Sequence, residues 1–198
     1  VGSEMCIRDR FSLPAVTARE QKNMRHLISA VRRSFSSEDM APDDPAVIIY
    51  TAGLCGRSMG AVLTHNNLIS NSEVLELCAD GTESEVGAAV VPFFHSFGAT
   101  VNMNCFIRLR ATICTMKRFD VALFFKLLEE NKVTFIAAVP ALFFGMVRHP
   151  LTGSTDLSNI RLCVSGGSKL QPPVMEAFRK KFPFPLLEGY GLTEASPV

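Results

Sequence analysis

The sequence predicts an α/β fold, a mainly parallel sheet with covering helices, and three observations predict it. Short apolar runs alternate with helical patterns from Ala46 to the end, the order that βαβ units impose. Gly87–Pro92 and Val133–Val139 carry no charge, as strands covered on both faces should read. Of 198 residues, 47% are apolar and 20% charged, which is globular composition with enough material for a core.

The elements follow in order. Val1–Asp9 has no capping pattern, no apolar period and no signal-peptide plan. It resembles the translation of a transposon-end adapter from sequencing libraries, so residues 1–10 are set aside. Residues 11–45 are expected to hold a helix, Thr17–Arg33, and a connector, Ser34–Pro45, rich in Ser, Asp and Pro. The arginines and Lys22 of this stretch read as a solvated face. Ala46–Tyr50 is a strand, Thr51–Gly60 a loop with three glycines, Ala61–Thr64 a second strand, and Asn66–Ala79 a helix.

Gly87–Pro92 is expected as a buried strand, Phe97–Leu109 as a helix and Ala111–Met116 as a strand. Asp120 is an N-cap candidate. Behind it Val121, Phe124, Phe125 and Leu128 recur at helical spacing. Val133–Val139 is a β-branched strand, Ala141–Arg148 a helix after Pro140, and Ile160–Ser165 a strand. Pro172 and Pro173 suit a helix start, with Val174, Phe178 and Phe182 on one face. Leu186 and Leu187 begin a last strand that runs into Gly189-Tyr190-Gly191. Ala195–Val198 shows no helix end or polar tail, so the chain is expected to be an internal fragment of a longer protein.

Composition excludes several functions. Twenty basic against 19 acidic residues give a net charge of +1, which offers no attraction for nucleic acid or an anionic membrane. The longest uncharged apolar run, Val133–Val147, contains Pro140 and Gly145. It falls short of the roughly 20 apolar residues that span a bilayer. Six cysteines are scattered without a Cys-x-x-Cys pair. That pattern is neither a zinc ribbon nor a disulfide scaffold, and it suits a reducing cytosol.

Four stretches could carry chemistry. In Tyr50–His65, Gly53, Gly56 and Gly60 can turn backbone N–H groups toward one point, with Thr51 adding a hydroxyl and Arg57 a charge. Neither a Walker loop nor a dinucleotide fingerprint is present, and the same residues fit a plain hairpin turn. In Pro92–Gly98, His95 follows a strand, where α/β ligands bind. A core-edge histidine satisfied by the backbone is the alternative. In Ser165–Leu170, two glycines permit close approach of a flat ligand. Leu170 replaces the closing glycine of a nucleophile elbow, which disfavours a serine hydrolase. In Leu186–Val198, Tyr190 offers a face for a purine. Thr193 can donate to a phosphate oxygen and Glu194 can hold magnesium with substrate oxygens. A strand-end turn with a surface glutamate is the plainer reading.

In this order the four stretches resemble the AMP-forming acyl-CoA synthetases of the adenylate-forming superfamily, from about Asp44 to Val198. VIIYTAG, AVLTHNNLISN, VVPFFHSFG, DLSNIRLCVSGG and LLEGYGLTEASPV are most similar to fatty-acid–CoA ligases. The resemblance implies that residues 46–198 are an incomplete portion of an AMP-binding N-terminal domain. It implies attack of a carboxylate on the α-phosphate of ATP, then thioester formation with coenzyme A. Thr51, Gly53, Gly56, Arg57 and Gly60 would serve the β- and γ-phosphates. His95 would stand near the reacting carboxylate. Gly166, Gly167 and Ser168 would flank adenine and acyl group, and Glu188, Gly189 and Tyr190 the adenine slot. Gly191 would leave room for the acyl chain, Thr193 would contact the α-phosphate, and Glu194 would hold Mg2+. The implied partners are a carboxylic acid, expected to be a fatty acid, and no nucleic acid. The implied location is the cytoplasm, with membrane association of the parent left open. Phe93, Phe94, Phe97, Val139 and Leu142 are apolar residues expected near the pocket, and they favour an acyl chain.

The family loop reads Tyr-Thr-Ser-Gly-Thr-Thr-Gly-x-Pro-Lys-Gly. Here Leu54 and Cys55 replace the two threonines, Ser58 the proline and Met59 the lysine. A non-catalytic acyl- or nucleotide-binding relative is therefore an alternative. Within the superfamily the alternatives are an aryl-CoA ligase or a peptide-synthetase adenylation domain. The aspartate for ribose and the catalytic lysine of the small domain do not occur in these residues, so the fragment alone is expected to be inactive.

Overall fold

A computed structural model describes residues 39–53, 56–116 and 118–196 of the chain. Residues 1–10, the expected helix Thr17–Arg33, and Leu54 and Cys55 lie outside the described residues.

The first two strands form an antiparallel hairpin, β1 (Pro45–Thr51) and β2 (Met59–Thr64). Tyr50 pairs with Gly60 and Thr51 with Met59. The expected loop Thr51–Gly60 is thus shorter at both ends, because the ladder extends into it. Thr64 caps the next helix, α1 (His65–Ser72), in a capping box with Asn67. The single helix expected over Asn66–Ala79 is broken at Glu73, and α2 runs Val74–Ala79. Ser70 Oγ donates to the Asn66 carbonyl and Ser72 Oγ to that of Ile69. Such bonds compete with the helical ladder.

Five further strands make one parallel sheet, in the order β4-β3-β5-β6-β7. They are β3 (Val86–Ala89), β4 (Thr112–Thr115), β5 (Phe135–Ala138), β6 (Leu162–Ser165) and β7 (Leu186–Glu188). The expected α/β class with a mainly parallel sheet is what the chain adopts. β5 is buried along its whole length, and its side chains alternate between two cores. Ile136 and Ala138 join Phe124, Phe143 and Phe178 on one face, and Phe135 and Ala137 join Leu75, Phe97 and Phe106 on the other.

Helices cover both faces. On the first, α4 (Val121–Glu130) follows α3 (Cys105–Leu109) in the chain and starts at Asp120, whose carboxylate accepts the Leu123 N–H at 2.9 Å. Phe124, Phe125 and Leu128 are fully buried, as the spacing predicts. Then come α5 (Pro140–Arg148) and α6 (Pro172–Lys181), each with proline in its first turn. Arg179, Lys180 and Lys181 end α6 where the helix dipole favours cations. Phe178 packs edge-on against Phe143 at 5.7 Å, joining the two helices.

On the second face the helix expected over Phe97–Leu109 is α-helical only in α3. Gly98–Asn104 winds more widely, and the Cys105 N–H reaches the Thr100 carbonyl five residues back. Within that wide turn sits Asn102. Its amide donates to the carbonyls of Ala88 in β3, at 3.4 Å, and Ala137 in β5, at 3.2 Å. The chain leaves β3 for β4 on one side and returns as β5 on the other, so β3 and β5 flank the point where strand order reverses. Ligands of open α/β sheets bind beyond the carboxyl ends of strands near such points.

At the opposite end of the sheet, Glu85 is buried. Its carboxylate accepts Arg161 Nε at 2.9 Å and the Thr134 hydroxyl. These contacts tie the beginnings of β3, β5 and β6 together.

Candidate active site

The carboxyl ends of β3, β6 and β7 open onto one cavity of about 520 Å³, which Thr51 at the end of β1 also lines. Three sequence-predicted segments meet there, and each is placed by its strand. After β3, the chain turns at Pro92, where the His95 N–H bonds to the Pro92 carbonyl. His95 Nδ1 accepts the Phe97 N–H at 3.1 Å. The backbone partner proposed as an alternative is therefore present, yet the ring is exposed and lines the cavity. With Nδ1 an acceptor, the proton of the neutral ring sits on Nε2.

After β6, the Gly166 N–H donates to the Ala138 carbonyl. A Cβ on Gly166 would stand 3.0 Å from the tip of the Phe97 ring, so the backbone passes close to an aromatic edge that a larger residue would have to displace. After β7, Glu188 Oε1 accepts the Leu170 N–H at 2.7 Å, and the Gly189 N–H reaches the Ser165 carbonyl at 2.8 Å. These bonds fasten the β6 and β7 loops to each other. Tyr190 is 81% exposed at the cavity rim.

Thr193 and Glu194 sit in a short 3₁₀ turn, Thr193–Ala195. Thr51 Oγ1 donates to Glu194 Oε1 at 3.2 Å, and the Ser96 and Thr193 hydroxyls are 3.0 Å apart. Thus Thr51, His95, Gly166, Gly167, Glu188, Gly189, Tyr190, Gly191, Thr193 and Glu194 all line one cavity. Gly53, Gly56, Arg57, Gly60 and Ser168 lie outside its lining. Gly53 takes φ +67° in the hairpin turn, and a Cβ there would stand 2.1 Å from the Arg57 carbonyl oxygen. The hairpin is therefore a glycine-dependent turn whatever else it holds.

Part of the cavity lining is apolar. Buried Leu75 of α2, Val101, Cys105, Phe135 of β5 and Leu162 of β6 contribute to it, with Cys78 exposed beside them. Burial pushes the Cys105 thiol up to about 11, against weaker hydrogen bonding to the Leu75 backbone. Of the apolar residues expected near the pocket, Phe97 lines the cavity, Phe93, Phe94 and Val139 are exposed and outside its lining, and Leu142 packs into the other core. Alternation in β6 separates Leu162 from Cys163, but only the sheet order reveals which face meets the cavity. Ser96 also escaped the sequence reading, although it adjoins His95.

The donor set suits a magnesium ion shared with substrate. Magnesium takes one or two carboxylates and completes its shell with waters and phosphate oxygens. Glu194 is an exposed carboxylate oriented by a hydroxyl. Among the described residues there is no cluster of three or more His, Cys, Asp or Glu side chains that could hold a metal ion. Among them, too, no helix is long and apolar enough to cross a membrane.

The family described as AMP-binding enzyme matches residues 6–198. A long-chain-fatty-acid–CoA ligase of Bacillus subtilis (strain 168) is 38% identical over 162 residues, covering 78% of this chain and 28% of that protein. A 4-coumarate–CoA ligase 1 of Solanum tuberosum is 32% identical over 180 residues, 87% of this chain and 32% of that protein. Among solved structures, ATP-bound MatB from Rhodopseudomonas palustris superposes with a TM-score of 0.80 at 30% identity, covering 88% of this chain and 34% of that one. The chain therefore spans about a third or less of the length of the two CoA ligases named here.

Proposed function

Since the chain belongs to the AMP-binding enzyme family, we propose that, within its full-length protein, it activates a carboxylic acid with ATP and passes the acyl group to coenzyme A. The observation that carries this reading is one cavity lined both by the polar side chains of Thr51, His95, Thr193 and Glu194 and by the apolar ones of Leu75, Val101, Phe135 and Leu162. A carboxylate at the mouth would attack the α-phosphate and release pyrophosphate, and the coenzyme A thiol would then displace AMP. Thr193 would donate to an α-phosphate oxygen as charge builds there. Glu194, held by Thr51, would carry Mg2+, which neutralises phosphate charge. His95, anchored through Nδ1, would orient the acid. Tyr190 and the glycines at 166, 167, 189 and 191 would flank adenine and the carboxyl end of the acid.

The acid is a fatty acid. Leu75, Val101, Phe135 and Leu162 offer an apolar lining, and the B. subtilis relative is named for long-chain fatty acids. The protein acts in the cytoplasm. Residues 1–198 alone form no acyl-adenylate. A second reading, acyl or nucleotide binding without turnover, rests on Met59, which stands 61% exposed in β2 where the family loop has lysine. Incubating the full-length protein with ATP, Mg2+, coenzyme A and a panel of saturated and aromatic acids separates these. Fatty-acyl-CoA is expected; aromatic thioester alone supports an aryl ligase, and binding without thioester supports the second reading.

A further inference from the structure

We infer that Ser96 is a positioning residue, which sets the Thr193 hydroxyl toward the phosphate of bound nucleotide; this rests on the function proposed above. Ser96 is 3% exposed, and its Oγ lies 3.0 Å from Thr193 Oγ1, 97 residues away in the chain. The two residues leave different strands, β3 and β7, and no sheet hydrogen bond joins those strands, which are separated by β5 and β6. The hydroxyl pair therefore bridges the loop that carries His95 to the turn that carries Thr193 and Glu194.

The chemistry of the pair gives it direction. Each hydroxyl has one proton and two acceptor positions. Once the Thr193 hydroxyl donates its hydrogen bond to a phosphate oxygen, it can only accept from Ser96, so Ser96 becomes the donor. The Thr193 rotor is then fixed outward, and a donor chain polarises toward the anion. The contact serves a group that carries phosphate charge and is irrelevant to the nucleoside alone. Ser96 also adjoins the Phe97 N–H that fixes His95 Nδ1 at 3.1 Å, so one short segment orients groups on both reactants.

The test uses the full-length protein as wild type, Ser96→Ala, Ser96→Thr, Thr193→Val and the Ser96→Ala/Thr193→Val double variant, with melting curves to verify folding. AMP and adenosine are titrated by calorimetry. Ser96→Ala is expected to weaken AMP about fivefold, the worth of one hydrogen bond, and to leave adenosine within twofold. Ser96→Thr restores AMP binding, and the double variant is no weaker than Thr193→Val alone. In acid-dependent pyrophosphate exchange, Ser96→Ala lowers kcat five- to tenfold with the acid KM within twofold. Equal AMP affinity in wild type and Ser96→Ala overturns the inference and leaves the proposed function standing. Equal weakening of AMP and adenosine also overturns it, since that marks a merely structural role. A folded wild type that binds neither ligand removes the functional reading, and this inference with it.

Discussion

Thr51 Oγ1 donates to Glu194 Oε1 at 3.2 Å, across 143 residues of chain. It joins the glycine hairpin to the turn after the last strand and aims one carboxylate oxygen. In the proposed reaction that carboxylate carries Mg2+. Glu194→Gln is therefore expected to lower kcat/KM for ATP at least a hundredfold, and Thr51→Val about tenfold, the range of charge-assisted hydrogen bonds. Steady-state kinetics of the full-length protein checks both. A Thr51→Val enzyme with wild-type kinetics would show that the contact has no role in turnover.

Met59 closes the hairpin opposite Thr51 and is 61% exposed. A lysine there can extend into solvent without disturbing a core. Met59→Lys is expected to raise kcat/KM for ATP about tenfold, by restoring one cation beside the phosphates, with an unchanged melting temperature. An unchanged or lower kcat/KM would mean that the loop meets the phosphates through another group.

Arg161 is the cation on buried Glu85, at 2.6 Å through Nη2. Its own side chain is 41% exposed, so water screens part of the pair. Arg161→Ala is expected to cost about 2 kcal/mol, below the 3–5 kcal/mol of a fully buried broken pair. Glu85→Gln, which keeps one of the two acceptor oxygens, should cost about 1 kcal/mol. Urea unfolding of the full-length protein reads both. Equal costs would show that hydrogen bonding, not charge, dominates there.

Alkaline pH should destabilise the fold through its buried thiols. Burial pushes Cys105 up to about 11 from 9.0, and pushes Cys163 up as well. Unfolded thiols ionise near pH 9 while the folded ones keep their protons, so above pH 9 the unfolded state binds fewer. Stability is full below pH 9 and falls as pH rises toward 11, by about 1.4 kcal/mol per unit for each thiol. The urea midpoint at pH 10 is expected below that at pH 8, and Cys105→Ala should flatten the fall. A midpoint that rises with pH contradicts this.

Local signals were legible where local physics decides. Asp120 caps α4 and the stripe Phe124, Phe125, Leu128 is buried as its spacing requires. The motifs around His95, Gly166, Glu188 and Thr193 do meet at one cavity. What escaped depends on tertiary partners. Asn102 carries no sequence mark of the wide turn that puts its amide on the carbonyls of Ala88 and Ala137. Phe93 and Phe94 look like pocket residues by adjacency to His95, yet the turn at Pro92 leaves them exposed. The cavity's true apolar wall comes from α2 and from alternate positions of β5 and β6, which no local pattern ties to His95.

The most direct test of the account is acid-dependent ATP–pyrophosphate exchange by the full-length protein, wild type beside Glu194→Gln, with palmitate as the acid. Exchange is expected to require both palmitate and Mg2+ and to fall at least a hundredfold in the variant. Exchange absent from a folded wild type that still binds AMP, or unaltered in Glu194→Gln, would contradict it.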